Sequence, residues 1–274
     1  MSFKKINLIA IPVTVALAIF RFFHLLYATD ATSGFSTSPI FDVVLYSVLG
    51  ALLLFFVFNF YYSRRAVPST GKGSRLISYS LIIFAAYCEF MSVLQLIVSK
   101  NTVTDNTNLR LIQTIETICA VLGIIVGICI VFESVKAMSL STYTPSLLVC
   151  GVTVLYFIMM LFTYYATHET MVTVSQNLIG LFFWMSATVF VYAYLRFLSA
   201  SKTATSYKLA LVFGYFTASL GAVVSLPRIV ASFFVNLEFT DFSSIEQRMI
   251  LPTTAIALLA VYRLTVSTKN KTEE

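Results

Sequence analysis

The sequence predicts an all-α bundle of about eight transmembrane helices, and three observations predict it. Charged residues make up 11% of the 274, less than half of the roughly 25% found in soluble domains. Hydrophobic residues make up 58%, mean hydropathy is +0.88, and the apolar residues fall in long blocks rather than amphipathic stripes. The short connections between blocks alternate in basic content, the mark of positive-inside topology.

The first block, Asn7–Ala28, follows Lys4 and Lys5 and contains Arg21 and His24. Two readings stand for it. A basic start, an apolar run and the small residues around Thr29-Asp-Ala31 fit a cleavable signal, which would leave seven spans. The length of the run and Arg21 within it favour a retained helix. The second block, Phe41–Tyr62, follows a connection without a basic residue. The third, Leu76–Val98, follows Arg64, Arg65, Lys72 and Arg75, and the fourth, Leu111–Phe132, follows a polar stretch ending at Arg110.

The fifth block, Ser146–Ala166, comes after the Glu133–Pro145 connection with Lys136. The sixth, Val172–Leu198, comes after a connection without Lys or Arg that holds His168. The seventh, Leu209–Val235, follows Lys202 and Lys208, and the eighth, Met249–Val266, follows Glu238, Asp241 and Glu246 against one Arg248. The eighth is slightly short of the ~20 residues that cross a ~30 Å hydrocarbon core. Ser244 and Gln247 read as a capping box that completes it, and Pro252 is tolerated in its first two turns. The tail carries Arg263, Lys269 and Lys271. Summed by side, Lys and Arg place both termini in the cytoplasm, with an even number of spans in a single transmembrane domain over residues 1–274. The sequon Asn270-Lys-Thr272 then falls on the cytoplasmic side.

Net charge is +6, but the basic residues sit in loops between spans, and no nucleic-acid motif accompanies them. Cys88, Cys119, Cys129 and Cys150 all lie in apolar blocks without a C-x-x-C spacing, so they are expected as free, buried thiols. Two histidines are too few for a multi-histidine zinc site. No mid-span lysine for a Schiff base, nucleophile elbow, P-loop or dinucleotide fingerprint is present. The expectation is a non-enzyme with no metal and no cofactor, whose partners are membrane lipid and a small-molecule or lipid ligand.

Arg21, Glu89, Glu116 and Arg228 are ionisable residues inside spans, each costly unless paired or facing a polar interior. In the fourth span Gln113, Glu116, Ala120, Gly123 and Gly127 recur at steps of three and four and share a face. Gly214, Ala218, Gly221, Ser225, Arg228 and Ser232 do so in the seventh, and Ala85, Glu89 and Ser92 in the third. Small residues on these faces permit close helix packing. Two readings follow. Arg228 and Arg21 form structural ion pairs with Glu89 and Glu116, or the charges line a polar chamber open toward the outer leaflet that takes an ion, a proton or a lipid headgroup. Pro227 beside Arg228 weakens the local backbone ladder.

Three further passages carry a resemblance: Phe41-Asp-Val-Val with Ser63-Arg-Arg65, Ile115-Glu-Thr-Ile-Cys-Ala-Val-Leu-Gly-Ile124, and Ser225-Leu-Pro-Arg-Ile-Val230 followed by Leu251-Pro252. In their order, over seven of the eight spans, the chain resembles fungal heptahelical membrane proteins of the RTA-type lipid-translocating exporter-like family. It departs from them in its first helix and in Thr253, where an acidic residue is expected. The resemblance implies lipid handling. The function expected is transport or lipid handling through a polar intramembrane chamber. The alternatives are a heptahelical receptor or sensor and a non-catalytic scaffold subunit.

Overall fold

The computed structural model of the chain describes residues 3–29, 36–62, 75–101, 107–139, 144–168, 175–199, 203–234 and 245–269. Among these residues the α-helices are α1 (Phe3–Tyr27), α2 (Pro39–Phe56), α3 (Arg75–Asn101) and α4 (Thr107–Ser139), then α5 (Leu147–His168), α6 (Ser175–Leu198), α7 (Ala204–Ala231) and α8 (Ile245–Lys269). All eight are long and apolar enough to cross a membrane. Rows of apolar side chains such as Leu8, Ile11, Val15 and Ile19 on α1 point outward. An exposed apolar surface of this extent belongs against lipid. The protein is an integral, multi-pass membrane protein.

Cross-helix contacts show that successive helices run in opposite directions. On α3 and α4, Gln95 meets Glu116 while Cys88 meets Gly123. On α7 and α8, Tyr207 meets Leu264 at one end and Arg228 meets Gln247 at the other. Helices α3 to α8 form a closed ring, each packed on the next and α8 returning to α3. Helices α1 and α2 lie outside the ring on α7. Helix α7 is therefore covered on most sides, with 72% of its apolar window buried.

Small residues set these contacts, as their helical spacing predicts. Gly123 lies under Ser92 and Tyr156, Gly127 under Glu89, Gly214 under Val261 and Phe190, and Gly221 under Thr254 and Phe183. Bonds from Tyr215 to Asn7 (2.6 Å) and from Thr14 to Ser219 (3.0 Å) fasten α1 to α7 as a parallel pair. Helix α2 finishes in a π-helical turn over Val57–Tyr61. There the Asn59 amide bonds the Phe55 carbonyl, and Lys208 from the start of α7 bonds the Tyr61 carbonyl at 2.9 Å. Pro252 cannot donate to the Arg248 carbonyl four residues back. The Tyr87 hydroxyl of α3 takes that free carbonyl at 3.4 Å.

Several boundaries differ from expectation: α7 covers Ala204–Ala231 where Leu209–Val235 was expected, and α8, Ile245–Lys269, is longer than the short span expected. Helix α4 continues to Ser139, so Glu133 is a helical residue and not part of a connection. Neither Gly nor Pro lies between Phe132 and Ser139 to stop it. Helix α5 continues to His168, which was expected on a loop. Ser244 of the expected capping box, Arg64, Arg65, Lys72, Glu238, Asp241 and Asn270 lie outside the described residues.

Candidate functional site

The bundle has a terminal end, where α1 begins and α8 finishes, and a far end. The far end gathers most of the buried polar chemistry. Arg21 and Arg228 are 1% and 2% exposed, at matching heights on the parallel pair α1 and α7, and within Coulombic reach of one another.

Around Arg21, the guanidinium faces His24 Nδ1 at 2.5 Å, and His24 Nε2 faces Ser36 Oγ at 3.0 Å. A guanidinium has no lone pair to offer. Nδ1 is therefore the acceptor, and Nε2–H donates to Ser36, which passes a bond to the Ser38 carbonyl. Asp42 of α2 stands 3.8 Å from the same Nε2, and Phe41 stacks on the ring at 5.3 Å. The chain reaches this position because it folds back after α1. Thr37 N–H bonds the Ala28 carbonyl at 2.8 Å, and the Thr29 hydroxyl bonds the His24 carbonyl at 2.9 Å.

Around Arg228, the bonds form a relay. Arg228 Nη1 donates to Gln247 Oε1 at 3.1 Å, and the Gln247 amide lies 3.3 Å from His168 Nε2. His168 Nδ1 lies 2.9 Å from the Tyr164 carbonyl. A carbonyl can only accept, so Nδ1 carries the proton and Nε2 accepts from the amide. Tyr164 stacks on His168 at 4.4 Å, and its hydroxyl fills the notch over Gly180. Apart from the guanidinium, every member of this relay is neutral, and Arg228 Nε has no hydrogen-bond partner among the described residues.

Of the five sequence-predicted residues, the structure brings together Arg21 and Arg228. Arg228 is bonded to an amide and not to Glu89 or Glu116. The physical reason is adjacency: α7 packs chiefly on α1, α6 and α8, whereas both acids lie in the α3–α4 seam. There Gln95 donates to Glu116 at 2.9 Å, Gln113 donates to the Ser99 carbonyl, and Ser99 pairs with Thr117 at 3.0 Å. Glu89 packs over Gly127. Among the described residues, Arg21 and Arg228 stand apart from Glu89, Gln113 and Glu116.

An interior cavity lies at the opposite end. It has a volume of about 130 Å³ and runs between α3, α4, α5, α6 and α8, with Phe84, Phe157, Phe190 and Thr253 at its floor and Pro145, Leu198 and Arg263 toward the terminal end. From Thr253 to Arg263 the helical rise gives a depth of about 15 Å. Its walls are largely apolar. Near the mouth, Glu133 meets Lys136 at 3.9 Å, and Arg263 bonds Tyr194. Two lining hydroxyls, Ser134 Oγ and Thr253 Oγ1, are buried without a partner among the described residues.

No family model, curated protein or solved structure matches this chain. Sequence reasoning missed His24, Asp42, Tyr164, His168 and Gln247 at the far end. The signal for two of them was present, since His24 follows Arg21 and His168 follows Tyr164 at spacings of three and four on one helix face. Ser134, Thr253 and Glu133 of the cavity carried no comparable signal.

Proposed function

We propose that this protein takes an amphipathic molecule into the cavity of its helix ring, as a transporter or lipid-handling membrane protein without catalytic activity. The carrying observation is the pair of unpartnered hydroxyls, Ser134 and Thr253, in the wall of an otherwise apolar cavity. Leaving such a group unpaired costs about 1–3 kcal/mol. A ligand with an apolar body and one or two oxygen atoms relieves that cost and fills the space.

The asymmetry of Lys and Arg puts the terminal end in the cytoplasm, so the cavity faces the cytoplasm and the far end is the closed outer side. The resemblance to RTA-type exporters points the same way, toward lipid. The ring has six members with α1 and α2 outside it, which weighs against a seven-helix receptor ring.

Trp184 is the sole tryptophan and lies 6.1 Å from Phe157 at the cavity floor. Titration with a brominated long-chain alcohol is expected to quench its fluorescence saturably. Val149→Phe and Ala137→Phe, which fill the cavity, are expected to abolish the saturable part. Native mass spectrometry from mild detergent should show a co-purifying amphiphile in the unaltered chain alone. Equal quenching in filled and unfilled proteins, with no bound amphiphile in either, would sink the proposal.

A further inference from the structure

We infer that Arg228, with Arg21 behind it, holds a small monovalent anion of halide size at the far end of the bundle. The site stands apart from the cavity and does not depend on the function proposed for it.

A guanidinium keeps its charge throughout the accessible pH range. Arg228 is 2% exposed, and no carboxylate among the described residues bonds to it. Its relay through Gln247, His168 and the Tyr164 carbonyl supplies neutral partners only. Arg21 adds a second positive charge within reach. Among the described residues, Asp42 is the acid beside this cluster, and it stands against His24 Nε2. Arg228 stands in the last turn of α7, where the helix dipole offsets about half an elementary charge at most.

Charge is only part of the case. Arg228 Nε–H is buried and has no acceptor among the described residues. An anion at Nε would answer both needs at once, since it accepts the orphaned hydrogen bond and balances the charge. The ion must be small. Both arginines are almost fully buried, which leaves no opening for a phospholipid headgroup.

The test uses the full-length protein in neutral detergent at one pH and one ionic strength. Sodium gluconate is replaced stepwise by sodium chloride or bromide, and thermal unfolding is followed. The expected result is a midpoint several degrees higher in halide, approaching saturation, because an ion that binds only the folded state stabilises it by mass action. Arg228→Gln should remove this dependence. Should that variant fail to fold, chloride-35 line broadening on the unaltered protein gives the second measurement. Excess broadening that bromide displaces is the expected result. The inference is overturned by equal midpoints in gluconate and halide, by an unchanged dependence in Arg228→Gln, or by the absence of displaceable broadening. Stabilisation by anionic lipid alone, without a halide effect, overturns it as well.

Discussion

Gly123→Ala tests whether the third and fourth helices are held by close packing of small residues. A Cβ built on Gly123 would collide with Ser92 Oγ, while Tyr156 Cε2 would stand 3.2 Å away and Ser92 Cβ 3.4 Å away. Overpacking of this kind costs about 1–3 kcal/mol. Replacing a helical glycine by alanine returns roughly 0.5–1 kcal/mol of backbone entropy. The net expectation is a loss of about 1–2 kcal/mol. Among the described residues Ser92 Oγ has at most the weak Cys88 thiol as a partner, so Ser92→Ala alone should be close to neutral. In the double variant the collision is gone and the remaining contacts are near ordinary van der Waals spacing. The double variant should therefore recover most of the loss, a clear non-additivity. Gly151, with nothing within 4 Å of its built Cβ, is the control, and Gly151→Ala should not destabilise. Cys88 and Cys119 are fully buried, so their reaction with a thiol-specific fluorophore on heating reports unfolding. The reasoning fails if Gly123→Ala is as stable as the unaltered protein, or if adding Ser92→Ala restores nothing.

Two shorter predictions address the seam and the orientation. Gln95→Leu should destabilise by about 1–3 kcal/mol, because Glu116 loses a buried amide donor, whereas Glu89→Gln, over Gly127, should leave the unfolding temperature unchanged; a larger loss from Glu89→Gln reverses the assignment. Cysteine at Thr37, at the far end, should react with an impermeant thiol reagent added outside sealed cells, while cysteine at Ser139, at the terminal end, should react only after lysis; the opposite pattern inverts the bundle.

Much of the fold was legible because a bilayer makes a blunt demand. Each span needs a long apolar run, and a charge or a proline interrupts it visibly. The small-residue faces of α4 and α7 were equally legible, since Gly123, Gly127, Gly214 and Gly221 recur at helical spacing and do meet neighbouring helices. The boundaries of α4 and α5 were not, because hydropathy falls before helical structure does. Glu133 and His168 leave the apolar block yet continue the same helix, with no glycine or proline to end it.

Pairing of the buried charges was beyond the sequence for a different reason. Counting two arginines and two glutamates assumes that any helix can meet any other. In the ring, α7 is flanked by α6 and α8, so the partner of Arg228 is Gln247 of α8 and the acids stay with α3 and α4. Helix α8 also explains why the cavity was hidden. It carries Gln247 toward the far end, Thr253 at the cavity floor and Arg263 near the mouth, residues that do not share one apolar or polar stripe. Gln247 and Thr253 are six residues apart, about 9 Å along the axis. A displacement of α8 that changed the floor would therefore also move the amide that bonds Arg228. Pro252 lies between them, and its missing N–H leaves the Arg248 carbonyl to Tyr87 of α3. That hydroxyl fixes the segment between the two sites to the neighbouring helix of the ring, so the closed end and the cavity share one helix and one point of attachment.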